Sequence, residues 1–167
     1  MRATARQPAI AALLHAIDEA YDKAGWHGTN LRGSLRGVAA RQADWRPSSG
    51  RHNIRELVVH AAYWKRRVRD RLTGATGDPF PIRGSNWLKL PAATEKAWRV
   101  ERELLDSEHR SLREVVAGFP AARLRSPLPG FKRRTALREI AGVALHDAYH
   151  TGQIQLVKTL WKKGGRS

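Results

Sequence analysis

His146-Asp147-Ala148-Tyr149-His150-Thr151-Gly152-Gln153-Ile154 is the stretch on which the reading of this chain turns. It lies inside a helically periodic run that Thr135 caps and that extends to about Lys162. Leu137, Ile140, Val143, Ala144, Ile154, Leu156, Val157 and Leu160 supply its apolar surface. Residues four apart on a helix share one face, so His146 and His150 present their imidazoles together, on the stripe of Val143 and Val157. One helix can offer two nitrogens to a single divalent metal in this way. Rings on a core-facing stripe also require another helix opposite them.

Working outward, the best helix start in the chain supplies that partner. Asn53 followed by Glu56 reads as an N-cap with an acidic residue at the third helical position. Ile54, Leu57, Val58, Ala61, Trp64, Val68 and Leu72 continue as a buried stripe, and His60 lies one turn from both Leu57 and Trp64. If these two helices face one another, three imidazoles converge. Two more long periodic segments run from about Pro8 to Asp22 and from about Ala93 to Val116. A short helix is expected from Leu31 to Val38, capped by Asn30. The Gly- and Pro-rich segment from Leu72 to Pro91 reads as a long connection over the bundle, anchored by Phe80 and Trp87. Loops of that length are uncommon unless they cover or line something. The expected fold is all-α: a four-helix bundle with a short extra helix and a long loop between the second and third long helices. One domain is expected over residues 1–167.

Composition narrows the chemistry. The 167 residues are 41% hydrophobic and contain no cysteine, so any metal ligands must be nitrogen or oxygen donors. No apolar run approaches the roughly 20 residues needed to cross a bilayer. Nor is there a persuasive signal-peptide pattern, and a cytoplasmic location is expected. The formal charge of +16 would attract anions. Its basic residues are spread along the chain, with modest clusters at Lys65-Arg66-Arg67 and Lys132-Arg133-Arg134. They do not interleave with aromatics as a stacking platform would, so nucleic acid is not expected as a partner.

Buried imidazoles without partners cost on the order of 1–3 kcal/mol each. Three of them need either separate hydrogen-bond partners or one shared ion. A zinc-protease helix would carry Glu after the first histidine; here Asp147 holds that position, and a strandless bundle offers a peptide cleft poorly. His15 and His109 read as surface or edge residues, and His52 as exposed. His27, in Ala24-Gly25-Trp26-His27-Gly28, reads either as part of a loop whose Trp packs on the bundle or as a substrate contact. Glu56 and Asp147 are candidates to stand behind the ligands, Asp147 alternatively pairing with an arginine at the surface. Gln153 is placed to orient an imidazole or touch a ligand.

Together these residues resemble the DinB-like family of four-helix candidate metalloenzymes. The likeness rests on Asn53 to Trp64 and on the HxxYHxGQI pattern at His146 to Ile154. Trp26-His27-Gly28 and Asp44-Trp45-Arg46-Pro47 extend it across nearly the whole chain. The resemblance implies one divalent metal, zinc or nickel, held by His60, His146 and His150 with water completing the shell. It also implies a homodimer in many members. Some relatives transfer or isomerise substrates with a low-molecular-weight thiol, but no diagnostic thiol-binding signature is found here.

The expected function is therefore a metal-dependent enzyme, hydrolytic or thiol-transferring, on a small-molecule substrate. The competing reading is a non-enzymatic, metal-stabilised bundle whose basic faces engage an acidic partner through Lys132, Arg133 and Arg134.

Overall fold

The computed structural model describes residues 7–75 and 79–164. Among the described residues six α-helices follow one another, with a 3-10 turn at Ala121–Arg123 before the last: α1 Pro8–Tyr21, α2 Leu31–Ser34, α3 Ala40–Asp44, α4 Ile54–Thr73, α5 Glu95–Ala117 and α6 Ala136–Gly164. No strand occurs among the described residues, so the chain is an all-α bundle. The four long helices close a ring, α4 packing on α5 and α6, and α1 on α6 and α5.

Local chemistry accounts for the helix limits. The Asn53 side chain accepts from the Glu56 N–H while Glu56 accepts from the Asn53 N–H, a complete capping box at the start of α4. Gly74, with φ of 70°, ends that helix in the left-handed region that side chains disfavour. Thr94 caps α5, and Thr135 accepts from the Arg138 N–H at the start of α6.

The sequence expectation is corrected between α1 and α4. Asn30 caps α2 as expected, but α2 is a single turn that stops at Ser34 rather than Val38. A further helix, α3, follows it. Gly37, with φ of 70°, takes the left-handed backbone that a continuous helix to Val38 could not include.

Two apolar clusters stack along the bundle. One joins α1 to the C-terminal turns of α4 and α5 and the start of α6, around Leu14, Val68, Leu112 and Ile140. The other joins the α2–α3 segment to the N-terminal turns of α4 and α5, around Leu31, Ile54, Trp98 and Ile154. Midway along α4 and α6 lies a polar layer, and it carries the site. Leu156 and Leu160, read as part of the apolar surface of α6, are exposed.

Candidate metal centre

His60 on α4 meets His146 and His150 on α6. His60 Nε2 and His150 Nε2 each lie 3.0 Å from His146 Nε2, and the three ligand-capable nitrogens fall within 4.8 Å of one another. His60 and His150 are buried and His146 half-buried.

The surroundings set the tautomers of two rings. His60 Nδ1 lies 3.0 Å from the carbonyl of Asn86, which can only accept, so Nδ1 carries the proton and Nε2 the lone pair. Gln153 donates its amide to the Tyr149 hydroxyl at 3.1 Å, leaving its oxygen 2.6 Å from His150 Nδ1. His150 is thus held in the same tautomer, the arrangement by which metal-binding imidazoles are commonly oriented. His146 lacks such support: its Nδ1 is buried without a partner.

Burial pushes all three imidazoles below their ordinary range. His146 falls to about 3, burial being reinforced by His150, His60 and Lys65. His150 falls to about 4, again chiefly through burial, and His60 is lowered by burial against an opposing bond to Asn86. The rings are neutral at pH 7, as coordination requires. A protein-only account leaves the lone pairs of His60 and His150 both aimed at one ring nitrogen, which can donate a single proton. The donor set therefore fits a divalent cation.

The long loop completes the wall. Asn86 adopts a left-handed φ of 60°, a conformation that Asn tolerates well, and its side chain accepts from Trp64 Nε1 at 3.0 Å. Trp87 is sandwiched between His60 and His52, with ring centroids 3.9 and 3.5 Å away. The anchoring role expected of Trp87 is thus exerted on His60 itself. Two cavities lie in this part of the bundle, and only the first is lined by one of the three histidines. One of about 290 Å³ reaches His146 beside Trp64, Arg71 and Arg138; the other, about 610 Å³, is lined by His52, Leu57, Gln153 and Leu156.

The remaining sequence candidates divide. Glu56 spends its carboxylate on the cap, on Arg46 and on His52, so it reaches the centre only through the His52–Trp87–His60 stack. Asp147 turns away from the histidines, because neighbouring residues on a helix are about 100° apart. It forms a buried ion pair with Lys65, not a surface pair with arginine. His109 is also corrected: it is buried, stacked 3.6 Å from Tyr21, with Nδ1 3.4 Å from Lys65 Nζ. Trp26 is 97% exposed and does not pack on the bundle, and no hydrogen bond or ring contact joins exposed His27 to the three histidines. Sequence reasoning passed over Asn86, Lys65 and the role of His52. Asn86 had one legible signal, an Asn in the turn-forming stretch Gly84-Ser85-Asn86.

Fold and site together define a helical bundle with a three-histidine group able to hold a metal. Residues 23–154 match the DinB superfamily, and the chain belongs to it. Neither a curated protein nor a solved structure matches it.

Proposed function

We propose that His60, His146 and His150 bind one divalent metal, zinc or nickel, through Nε2. On this reading the protein is a metal-dependent enzyme that hydrolyses or thiol-transfers a small molecule. The observation that carries it is the pair of outward-donating Nδ1 atoms, which turns two Nε2 lone pairs onto the third ring. Nitrogens 3.0 Å apart can share an ion at the roughly 2.0–2.1 Å typical of zinc–imidazole bonds. A bound ion would supply Lewis acidity, bringing water towards a pKa of about 7 or ionising a thiol, so that a low-molecular-weight thiol could serve as co-substrate. Around it, Asn86 and Gln153 hold two rings in their coordinating tautomer, and Trp87 shields His60 from solvent. His146, half-buried and bordering a cavity, is the ligand nearest an incoming substrate.

A second copy of the chain is proposed as partner. Leu145, Tyr149, Leu156 and Leu160 are exposed on α6 at spacings that keep them on one side of the helix. Sedimentation of wild type and Leu156→Glu tests this: the wild type should run as a dimer and the variant as a monomer.

Elemental analysis of protein purified without a nickel column, followed by screens for hydrolysis and thiol transfer, tests the main reading. About one equivalent of metal is expected in the wild type and under a tenth in His60→Ala. A metal-free wild type that also fails to take up zinc or nickel in titration would end the proposal.

A further inference from the structure

The cavity that reaches His146 has a chemical polarity of its own. Arg138, Gly142 and His146 follow one another at intervals of four on α6, so they share a face and span two turns, about 12 Å of rise. Gly142 contributes no side chain, and a Cβ placed there would meet nothing within 4 Å. The path between Arg138 and His146 is therefore open.

The far end is cationic. Arg71 of α4 lies with its guanidinium carbon 5.4 Å from the Trp64 ring and 5.8 Å from the Phe131 ring. Its Nη1 donates to Glu139 at 2.6 Å, while its buried Nε has no acceptor. Arg134 reaches the other oxygen of Glu139 at a looser 3.4 Å. Arg138 is exposed and has no ion-pair partner among the described residues. Arg71, Arg134 and Arg138 against Glu139 leave two positive charges in excess at a cavity of about 290 Å³. That volume suits a small molecule rather than a polymer. Guanidinium groups match the planar or tetrahedral oxygens of carboxylate and phosphate.

We propose that this cavity binds the oxyanion end of a small-molecule substrate, a carboxylate or phosphate, on Arg138 and Arg134, with Arg71 as the fixed charge behind them. The remainder of the ligand lies along Gly142 and presents its reactive group at the His146 side of the metal centre. Only this last placement rests on the metal-enzyme reading; anion binding does not need the ion.

The test is a titration of inorganic phosphate and, separately, of succinate, read by ¹⁵N NMR at the arginine Nε–H groups and the Gly142 amide. It is run on metal-free protein and on protein loaded with one equivalent of zinc. Saturable shifts at Arg138 and Gly142 are expected in both forms. Arg138→Gln should weaken binding at least tenfold, and Gly142→Met, which fills the path, should weaken succinate. Arg36→Gln, a charge-matched change outside the cavity, should alter affinity less than twofold. A response to phosphate alone assigns a phosphate ester, and one to succinate alone assigns a carboxylate. No saturable shift with either probe overturns the proposal. So does an Arg36→Gln effect as large as that of Arg138→Gln, which would reduce the binding to the general pull of a basic protein. Metal uptake without anion shifts sinks the cavity alone; anion shifts without metal uptake sink the enzyme reading and leave the cavity standing.

Discussion

His146 and Asp147 are neighbours in sequence, yet they belong to two polar clusters that solve burial differently. Asp147 points into the bundle and meets Lys65, itself beside His109 and below the Tyr21 ring. Tyr21 in turn donates to Asp106. That cluster balances charge with charge from within the chain. The histidine cluster has two supported rings, a third with an orphaned nitrogen, and no carboxylate at its centre. Each cluster leaves one buried atom without a hydrogen-bond partner, Asp147 Oδ1 in the first and His146 Nδ1 in the second, but only the first pairs opposite charges, whereas the second turns neutral nitrogen lone pairs on one another. Helix periodicity alone puts them on different faces of α6, one residue apart.

The sharpest way to break the comparison is Asp147→Ala. It strands the Lys65 ammonium in the interior, and removing one partner of a buried pair typically costs about 3–5 kcal/mol. Chemical denaturation should show a loss of that size. The double change Asp147→Leu with Lys65→Met should recover most of it, and full destabilisation in the double variant would mean that the pair is more than self-compensating.

Acid comes next, acting on the buried histidines of both clusters. Burial lowers His146 to about 3 and His150 to about 4; burial, with Lys65 and nearby arginines, lowers His109 to about 2. In the unfolded chain each titrates near 6.5. Below that value the unfolded state binds protons that the folded state refuses, so stability is full above pH 6.5 and falls as pH falls. Between pH 6.5 and 5.5 each histidine should cost metal-free protein about 1 kcal/mol, about 3 kcal/mol for these three. His109→Leu should flatten the slope by one histidine's share. A pH-independent stability over this window would place these rings in solvent.

Metal removal should affect only the histidine cluster. With free zinc at 100 times its dissociation constant, the bound ion adds about 2.7 kcal/mol. Thermal unfolding with and without chelator should show that difference in the wild type and none in His60→Ala. Gln153→Leu frees the tautomer of His150, and losing such an orienting partner typically weakens metal affinity about 10–100-fold. Competition against a chromophoric chelator measures it, and unchanged affinity would make the 2.6 Å contact incidental to the metal. Smallest is Asn53→Ala, which removes the cap of α4 and should cost about 1 kcal/mol with metal stoichiometry retained.

Much of this was legible without coordinates, unevenly and for identifiable reasons. The Asn53–Glu56 cap, the ends of α1 and the shared face of His146 and His150 depend on residues within a few positions of one another. The segment after Asn30 differs from the expectation because Leu31 to Val38 is not one periodic run: Gly37, in left-handed backbone, lies within it. His109 and Asp147 were misplaced for another reason. An ionisable residue on a charged helix is usually solvated, and only Lys65, 44 and 82 positions away along the chain, makes their burial tolerable.

Read alone, the amino-acid order was enough for an all-helical bundle and for two imidazoles one turn apart, since both follow from the 3.6-residue period of a single helix. Whether His60 would reach them was settled by the docking of α4 on α6, a contact across 86 positions for which no local pattern exists. The Asn86 carbonyl behind His60, the Trp87 ring stacked on it and the arginines at the far end of the groove belong to that same tertiary level. They come from loops and from different helices, and only their packing brings them to one place.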